Sequence, residues 1–537
     1  MNWSNSDPRQ PLASTAPPNR GRGRPFRFPD DPTPITATDG GERTRFGWLL
    51  AACRVYAAPP PISSRRAFGS ALRDVGVTCD QARLSRWESG GLPVPRTAVA
   101  AYEELCGLPQ GHLICHAASL EPATRENPVV DGPAADDTLD EIFSARAEGG
   151  LDGGAWLRLA ETLATYESVY LPPQLWADLT DELLRETVRA TQHEFTARYE
   201  AMRVLLATPR GRRAGLRAIG RFLTDPHAQS VAPALTLLGE VKHRKAQRLI
   251  LKMLAQGSDP IRYGAGWAAA AALARGHLEP EITGDLERLM HARLGGAPDA
   301  HVEITDVIAR MPPKALDRLR AAAAAGDQRR RLEAVLRHGQ VLPRSRVLSV
   351  LEDCVPRIQD ATAQNRAVEP DEMLHRLVRE ALFHGHQARR RRAAILLAAS
   401  PYRTAVADEF AGLLEHPEPV IAAQAASAMS ALATTEHVAL MQERSLREDT
   451  VEDLRVRLLY ALGSCGADGE TITPAISAAL ATTSETLRRA ALFAAGMTGS
   501  PCLMTVAQSA GDPLAGHARW WLELGPAITP GGFETAA

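Results

Sequence analysis

The chain has 537 residues, with 61 Lys+Arg against 63 Asp+Glu, a formal charge of −2, 45% hydrophobic residues and only 5% aromatics. That length exceeds one ordinary core and calls for several domains or an extended array. The alanine- and leucine-rich, strand-poor composition favours packed helices, while the seven scattered cysteines, with no C-x-x-C pair and no Cys/His grouping at zinc spacing, argue against a disulfide framework or a structural metal.

Residues 1–41 are rich in Pro, Ser, Thr and Asp, lack helical or strand periodicity and contain no apolar signal core, so they are read as a disordered tail. Within the tail, Arg22, Gly23, Arg24 and Pro25 resemble the core of an AT-hook. In such a unit glycine lets the backbone approach the floor of a narrow minor groove while arginines meet its negative potential. A solvated basic tail is the alternative.

The next segment, 42–118, is basic: its arginines from Arg43 to Arg96 are opposed only by Asp74, Asp80 and Glu88. Between Ile62 and Leu108 two short amphipathic helices are joined by a Gly-containing turn, and Pro93 and Pro95 lead into a third. That is the layout of a helix-turn-helix. Leu84 and Trp87, at i and i+3, point to the core, where Leu49, Phe68 and Leu72 meet them. Gln81, Ala82 and Ser85 then face outward, with Arg83 and Arg86 beside them. Asp80 is suited to cap the helix.

Phe46-x-x-Leu49-Leu50-x-x-x-Arg54, Ser63-Ser64-Arg65-Arg66-x-Phe68-x-x-x-Leu72 and Leu84-Ser85-Arg86-Trp87-Glu88-x-Gly90 carry a closer likeness. On these residues the segment resembles the lambda-repressor-like, XRE-type helix-turn-helix family. The resemblance implies that Gln81, Ala82, Arg83, Ser85 and Arg86 face base edges in the major groove. It also implies that Ser63, Ser64, Arg65 and Arg66 hold a phosphate at a helix N-terminus, and that Glu88 pairs with Arg54. From Leu72 to Leu84 the chain is about five residues longer than the usual tight turn. Either helix two runs further or the stretch Asp74–Cys79 bulges.

A linker over 119–138 and an acidic helical adaptor over 139–208 follow. Through 209–525 the pattern repeats: Ile421, Leu454, Leu487 and Leu514 open successive apolar stripes at i, i+4 and i+8, roughly every 30 residues. Asp259-Pro260-Ile261 starts an earlier copy. Second helices fit between, as at Val406/Phe410 and Ile472/Ile476. The pattern resembles HEAT-like repeats, so the expected fold is all-α: an N-terminal helix-turn-helix domain followed by an α-solenoid, with a short tail over 526–537.

No phosphate-binding loop, H-E-x-x-H or G-x-S-x-G motif is present, so neither a catalytic residue nor a cofactor is expected. His384-Gly385-His386 lacks a third metal ligand and reads as a loop. Arg329–Arg331 and Arg389–Arg392 read as solvated helix faces. Together these features predict a soluble, cytoplasmic, nucleoid-associated bacterial transcriptional regulator. It would bind double-stranded DNA as a homodimer and sense a protein, peptide or small-molecule effector on the solenoid, with no membrane partner. Two alternatives remain: an interaction scaffold with a head that does not bind DNA and, last, a HEAT-like DNA glycosylase.

Overall fold

A computed structural model describes residues 27–530, apart from 38–39, 121–131, 166–170, 295–301, 323–328, 364–368 and seven positions between 331 and 340. The described residues form helices, and the only β pairing among them is an isolated bridge between Ala190 and Ile528. No helix among them is long and apolar enough to cross a membrane.

The head contains α1 (Glu42–Ala52), prolonged by a π-helical turn over Cys53–Ala57, then α2 (Arg65–Asp74), α3 (Gln81–Glu88), α4 (Arg96–Leu105) and α5 (His112–Leu120). Leu49, Phe68, Leu72, Leu84, Trp87 and Tyr102 are buried together, the Phe68 and Tyr102 rings lying 4.7 Å apart. The additional length between Leu72 and Leu84 does not extend α2. That helix stops at Asp74, the backbone turns left-handed at Gly76 (φ +85), and α3 begins at Gln81.

The body begins with α6 (Gly132–Glu148), α7 (Gly153–Thr165), α8 (Pro173–Arg189), α9 (Gln192–Ala207), α10 (Pro209–Thr224), α11 (Ala232–Gly239), α12 (Arg244–Gln256), α13 (Asp259–Ala274), α14 (Pro280–Leu294), α15 (Val302–Ala309) and α16 (Pro313–Ala322). It continues with α17 (Arg344–Ala363), α18 (Glu372–Phe383), α19 (Gln387–Ala399), α20 (Arg403–Gly412), α21 (Pro419–Leu432), α22 (Val438–Leu446), α23 (Glu452–Ser464), α24 (Thr473–Leu480), α25 (Glu485–Thr498), α26 (Cys502–Gln508) and α27 (Ala515–Leu524).

These helices make two rows. One row runs α9, α11, α13, α15, α19, α21, α23, α25 and α27, each helix packed on the next, while the partner row is more widely spaced. Small residues allow the tight row. Ala265, Ala268, Ala269, Ala422, Ala425, Ala491 and Ala495 are buried between neighbours. A Cβ on Gly239 would come within 2.7 Å of the Ala268 carbonyl. Close spacing in one row and wide spacing in the other bends the array, with the tight row inside.

The bend closes. Thr191 N–H donates to the Ile528 carbonyl at 3.0 Å and Ile528 N–H to that of Arg189 at 3.1 Å. The Trp521 indole donates to Gln229 at 3.1 Å, and Trp520 meets Phe222 edge-on at 5.9 Å. The helical-repeat array is thus a ring whose last helix rests on its first members.

Two boundaries drawn from the sequence shift accordingly. The acidic section 139–208 supplies the first helices of the ring, and residues 526–530 belong to its closure instead of a tail; 531–537 lie outside the described residues. The stripe positions are buried as expected at Ile421, Ala425, Met429, Leu454, Leu458, Leu462, Leu487, Ala491 and Ala495. The last copy departs: Leu522 is 41% exposed and Trp521 fills its place in the core.

Candidate nucleic-acid interface

Helix α3 is built to present one side and bury the other. The Asp80 carboxylate caps it by accepting from Arg83 N–H at 2.5 Å. Leu84 and Trp87 anchor it in the head. Gln81, Ala82, Arg83 and Arg86 are exposed and Ser85 is half-buried, so the five expected base-facing residues share one open surface. The Arg83 guanidinium also donates to the Thr78 carbonyl at 3.3 Å. The enlarged turn thus leans on the exposed side of α3, and Thr78 beside it is exposed as well. The only sequence signal for Thr78 was the extra length before Leu84.

Ser64 caps α2, its hydroxyl accepting from Ala67 N–H at 3.2 Å, while Ser63 donates to the Pro60 carbonyl at 3.0 Å. Arg66 is exposed. Arg65 Nε donates to Glu88 at 2.9 Å, so part of its guanidinium is committed within the head. Glu88 is fully buried and also accepts from Arg54, including Nη2 at 3.0 Å, and from the Tyr102 hydroxyl at 3.3 Å. The Arg54–Glu88 pair is the one the family resemblance implies. Gly90 (φ +73) closes α3 where a Cβ would strike the Thr44 backbone, which accounts for glycine at the end of the motif.

The head is docked on the ring through α1. Arg45 donates to both carboxylate oxygens of Glu380 on α18, at 2.7 and 2.8 Å, and to Asp31 at 2.7 Å. The Trp48 indole donates to Asp371 at 2.9 Å and its ring stacks on Tyr402 at 5.9 Å. Burial raises the Glu380 pKa, but the hydrogen bonds and charges of Arg45 and Arg389 prevail and bring it to about 2. Burial likewise pushes the Asp371 carboxyl up to about 6, against the opposing hydrogen bonds from Trp48 and Leu374.

Three expectations need correction here. Residues 27–37 are not a featureless tail: Phe28 and Asp31 are buried, Arg376 donates to the Asp31 carbonyl at 2.5 Å, and His384 meets the Ile35 carbonyl at 2.8 Å. Polar backbone that enters an interface must find partners, and this irregular segment finds them on α18 and the loop after it. Arg389 is not solvated either. It is 1% exposed and bonded to Glu380 at 2.5 Å and to the Ala37 carbonyl at 2.5 Å. Finally, the linker reaches only to 131, because α6 starts at Gly132.

His384 and His386 sit in the loop between α18 and α19, His386 held by Asp306 at 2.8 Å. No group of three potential metal ligands occurs among the described residues. Arg22, Gly23, Arg24 and Pro25 lie outside them.

No family model matches the chain, and no curated protein matches it. Among solved structures, human deoxyhypusine hydroxylase is similar at 15% identity and a TM-score of 0.31, over 61% of this chain and 98% of that one. Kap121p matches at 12% identity and a TM-score of 0.24, over 90% of this chain and 49% of that one, so the match spans about half of Kap121p. Kap121p bound to Ste12p matches at 14% identity and a TM-score of 0.27.

Proposed function

We propose that this helical-repeat ring carries a docked head that binds double-stranded DNA sequence-specifically, and that the chain is a bacterial transcriptional regulator. The observation that carries the reading is the open surface of α3. Gln81, Ala82, Arg83, Ser85 and Arg86 stay uncovered although α1 of the same head is buried against the ring. A glutamine pairs with adenine, serine reaches several base edges and arginine reaches guanine or phosphate. Ser63, Ser64, Arg65 and Arg66 stand at the start of α2, where free amides and cations hold phosphate. Heads of this layout pair on two half-sites about one helical turn apart, which makes a homodimer on DNA the expected assembly.

One observation favours a second reading, an interaction scaffold that does not bind DNA. Arg65, one of the two cations expected to meet phosphate, is tied to Glu88. Anisotropy titrations of the full chain with a labelled duplex, repeated at several salt concentrations, decide between them. The regulator requires an affinity that falls steeply with salt. Affinity that is absent, or indifferent to salt, leaves the scaffold.

A further inference from the structure

The inner wall of the ring carries an arginine that its surroundings do not neutralise. Of the four consecutive arginines that open α19, Arg389 is paired with Glu380, Arg390 donates to the His384 and Gly385 carbonyls, and Arg392 is paired with Glu42 at 3.0 Å. Arg391 has no hydrogen-bond or ion-pair partner among the described residues. Its guanidinium lies over the Trp267 ring instead, 5.2 Å from the centroid. Helix α19 and the Trp267 helix, α13, are two places apart in the tight row, with α15 between them. Tyr199 on α9, four places away in the same row, also acts electrostatically on Arg391, and side chains that far apart along a curved row come together on its inner side. Arg391 and Trp267 therefore face the centre of the ring.

The surroundings are aromatic. Tyr263 stands one turn before Trp267, the two rings 4.7 Å apart. The Trp267 indole N–H is buried without an acceptor. Burial lowers the Arg391 pKa, and no carboxylate offsets it. A half-buried guanidinium resting on an indole gains some cation–π energy, while no acceptor among the described residues meets its five donors.

We infer that the ring binds a small aromatic anion, such as an aryl carboxylate, with its charge on Arg391 and its flat ring against Trp267 and Tyr263. Planar bidentate hydrogen bonding is what a guanidinium offers a carboxylate, and an aromatic wall supplies the apolar share of such a site. This ligand class goes beyond the DNA reading and does not rest on it.

The test is isothermal titration of the full chain with 2-naphthoate and with its uncharged analogue 2-naphthylmethanol. The site predicts one naphthoate bound per chain, at least tenfold more tightly than the alcohol. Arg391→Gln should weaken naphthoate about tenfold, as expected for one charge-assisted contact, and leave the alcohol unchanged. Arg346→Gln, at an exposed position on α17, should change neither. Arg391→Lys keeps the charge but loses the planar fork; it should weaken naphthoate at least threefold and carries the test if glutamine prevents folding. No naphthoate binding, equal binding of the alcohol, or undiminished binding by the Arg391 variants would overturn the site. Because no DNA is present, these results stand whether or not the head binds duplexes.

Discussion

Arg45 and Glu380 are 335 positions apart in the chain and meet as a bidentate pair, the two guanidinium Nη atoms 2.7 and 2.8 Å from the two carboxylate oxygens. Glu380 is also the acceptor for Arg389 and Arg376, so one buried carboxylate fastens the head to α19, while Arg45 and Arg376 carry the link on to Asp31. Removing Glu380 withdraws a buried counterion from three arginines at once, with Asp31 left to Arg45 and Arg376, whereas removing Arg45 leaves the carboxylate two partners. Glu380→Ala should therefore destabilise the protein by about 3–5 kcal/mol, more than Arg45→Ala. Urea unfolding of the two variants measures the difference; an equal or reversed order would mean that Glu380 is not the hub.

The neighbouring contact gives a pH dependence of opposite sign. Asp371, which accepts the Trp48 indole hydrogen bond, has a carboxyl raised by burial to about 6, against 3.8 in the unfolded chain. Between those values the folded state holds a proton that the unfolded state has released. Stability from this group is therefore present at the acid end and falls as pH rises from about 4 to about 6, then levels. Glu380 behaves oppositely: depressed to about 2, it contributes above about 4.5 and loses that contribution as pH falls further. Asp371→Asn should flatten the thermal-stability profile between about pH 4 and 6, and differential scanning calorimetry checks it. A profile unchanged by the substitution would remove Asp371 from this role.

On the head, substitutions should separate into two kinds. Gln81→Ala and Ser85→Ala should each lower discrimination between preferred and random duplexes, by about 1–3 kcal/mol where a bidentate contact is lost. Arg66→Ala should weaken all duplexes alike and reduce the salt slope by about one. Arg65→Ala should also lower thermal stability, because it withdraws a donor from buried Glu88. Arg66→Ala should leave stability unchanged.

Ring closure can be loosened at one atom. A Cβ at Gly496 on α25 would fall inside the buried Trp521 ring on α27. Gly496→Ala should therefore destabilise the closure by about 1–3 kcal/mol, the usual range for overpacking. Hydrogen exchange at Thr191 and Ile528 should quicken well before exchange in α11 or α13. Uniform acceleration across the ring would argue against a separable closure.

The head was legible in the sequence because its information is local. Leu84 and Trp87 one turn apart, Glu88 set against Arg54 and a final Gly90 sit within one short stretch, each tied to a backbone or core requirement. The repeats were legible as spacing, since apolar residues recurring at i, i+4 and i+8 mark a helix pressed between neighbours. Neither the docking nor the closure could be read that way. Arg45 and Glu380, or Thr191 and Ile528, are joined by no periodicity, and an arginine does not announce its carboxylate. Arg389–Arg392 show the difficulty: four successive residues spread around a helix, so one meets Glu380, one meets carbonyls, one faces the ring and one reaches Glu42. The enlarged turn before α3 was visible as length, but its course depended on the left-handed backbone at Gly76.

Selection of duplexes from a random DNA pool by the full-length chain, run beside the Gln81→Ala/Ser85→Ala double variant, addresses the reading face directly. The account predicts enrichment of a two-half-site motif by the parent chain, with the motif degraded in the variant while residual salt-sensitive binding persists. Recovery of the same motif by both proteins, or of no motif by the parent, would contradict it.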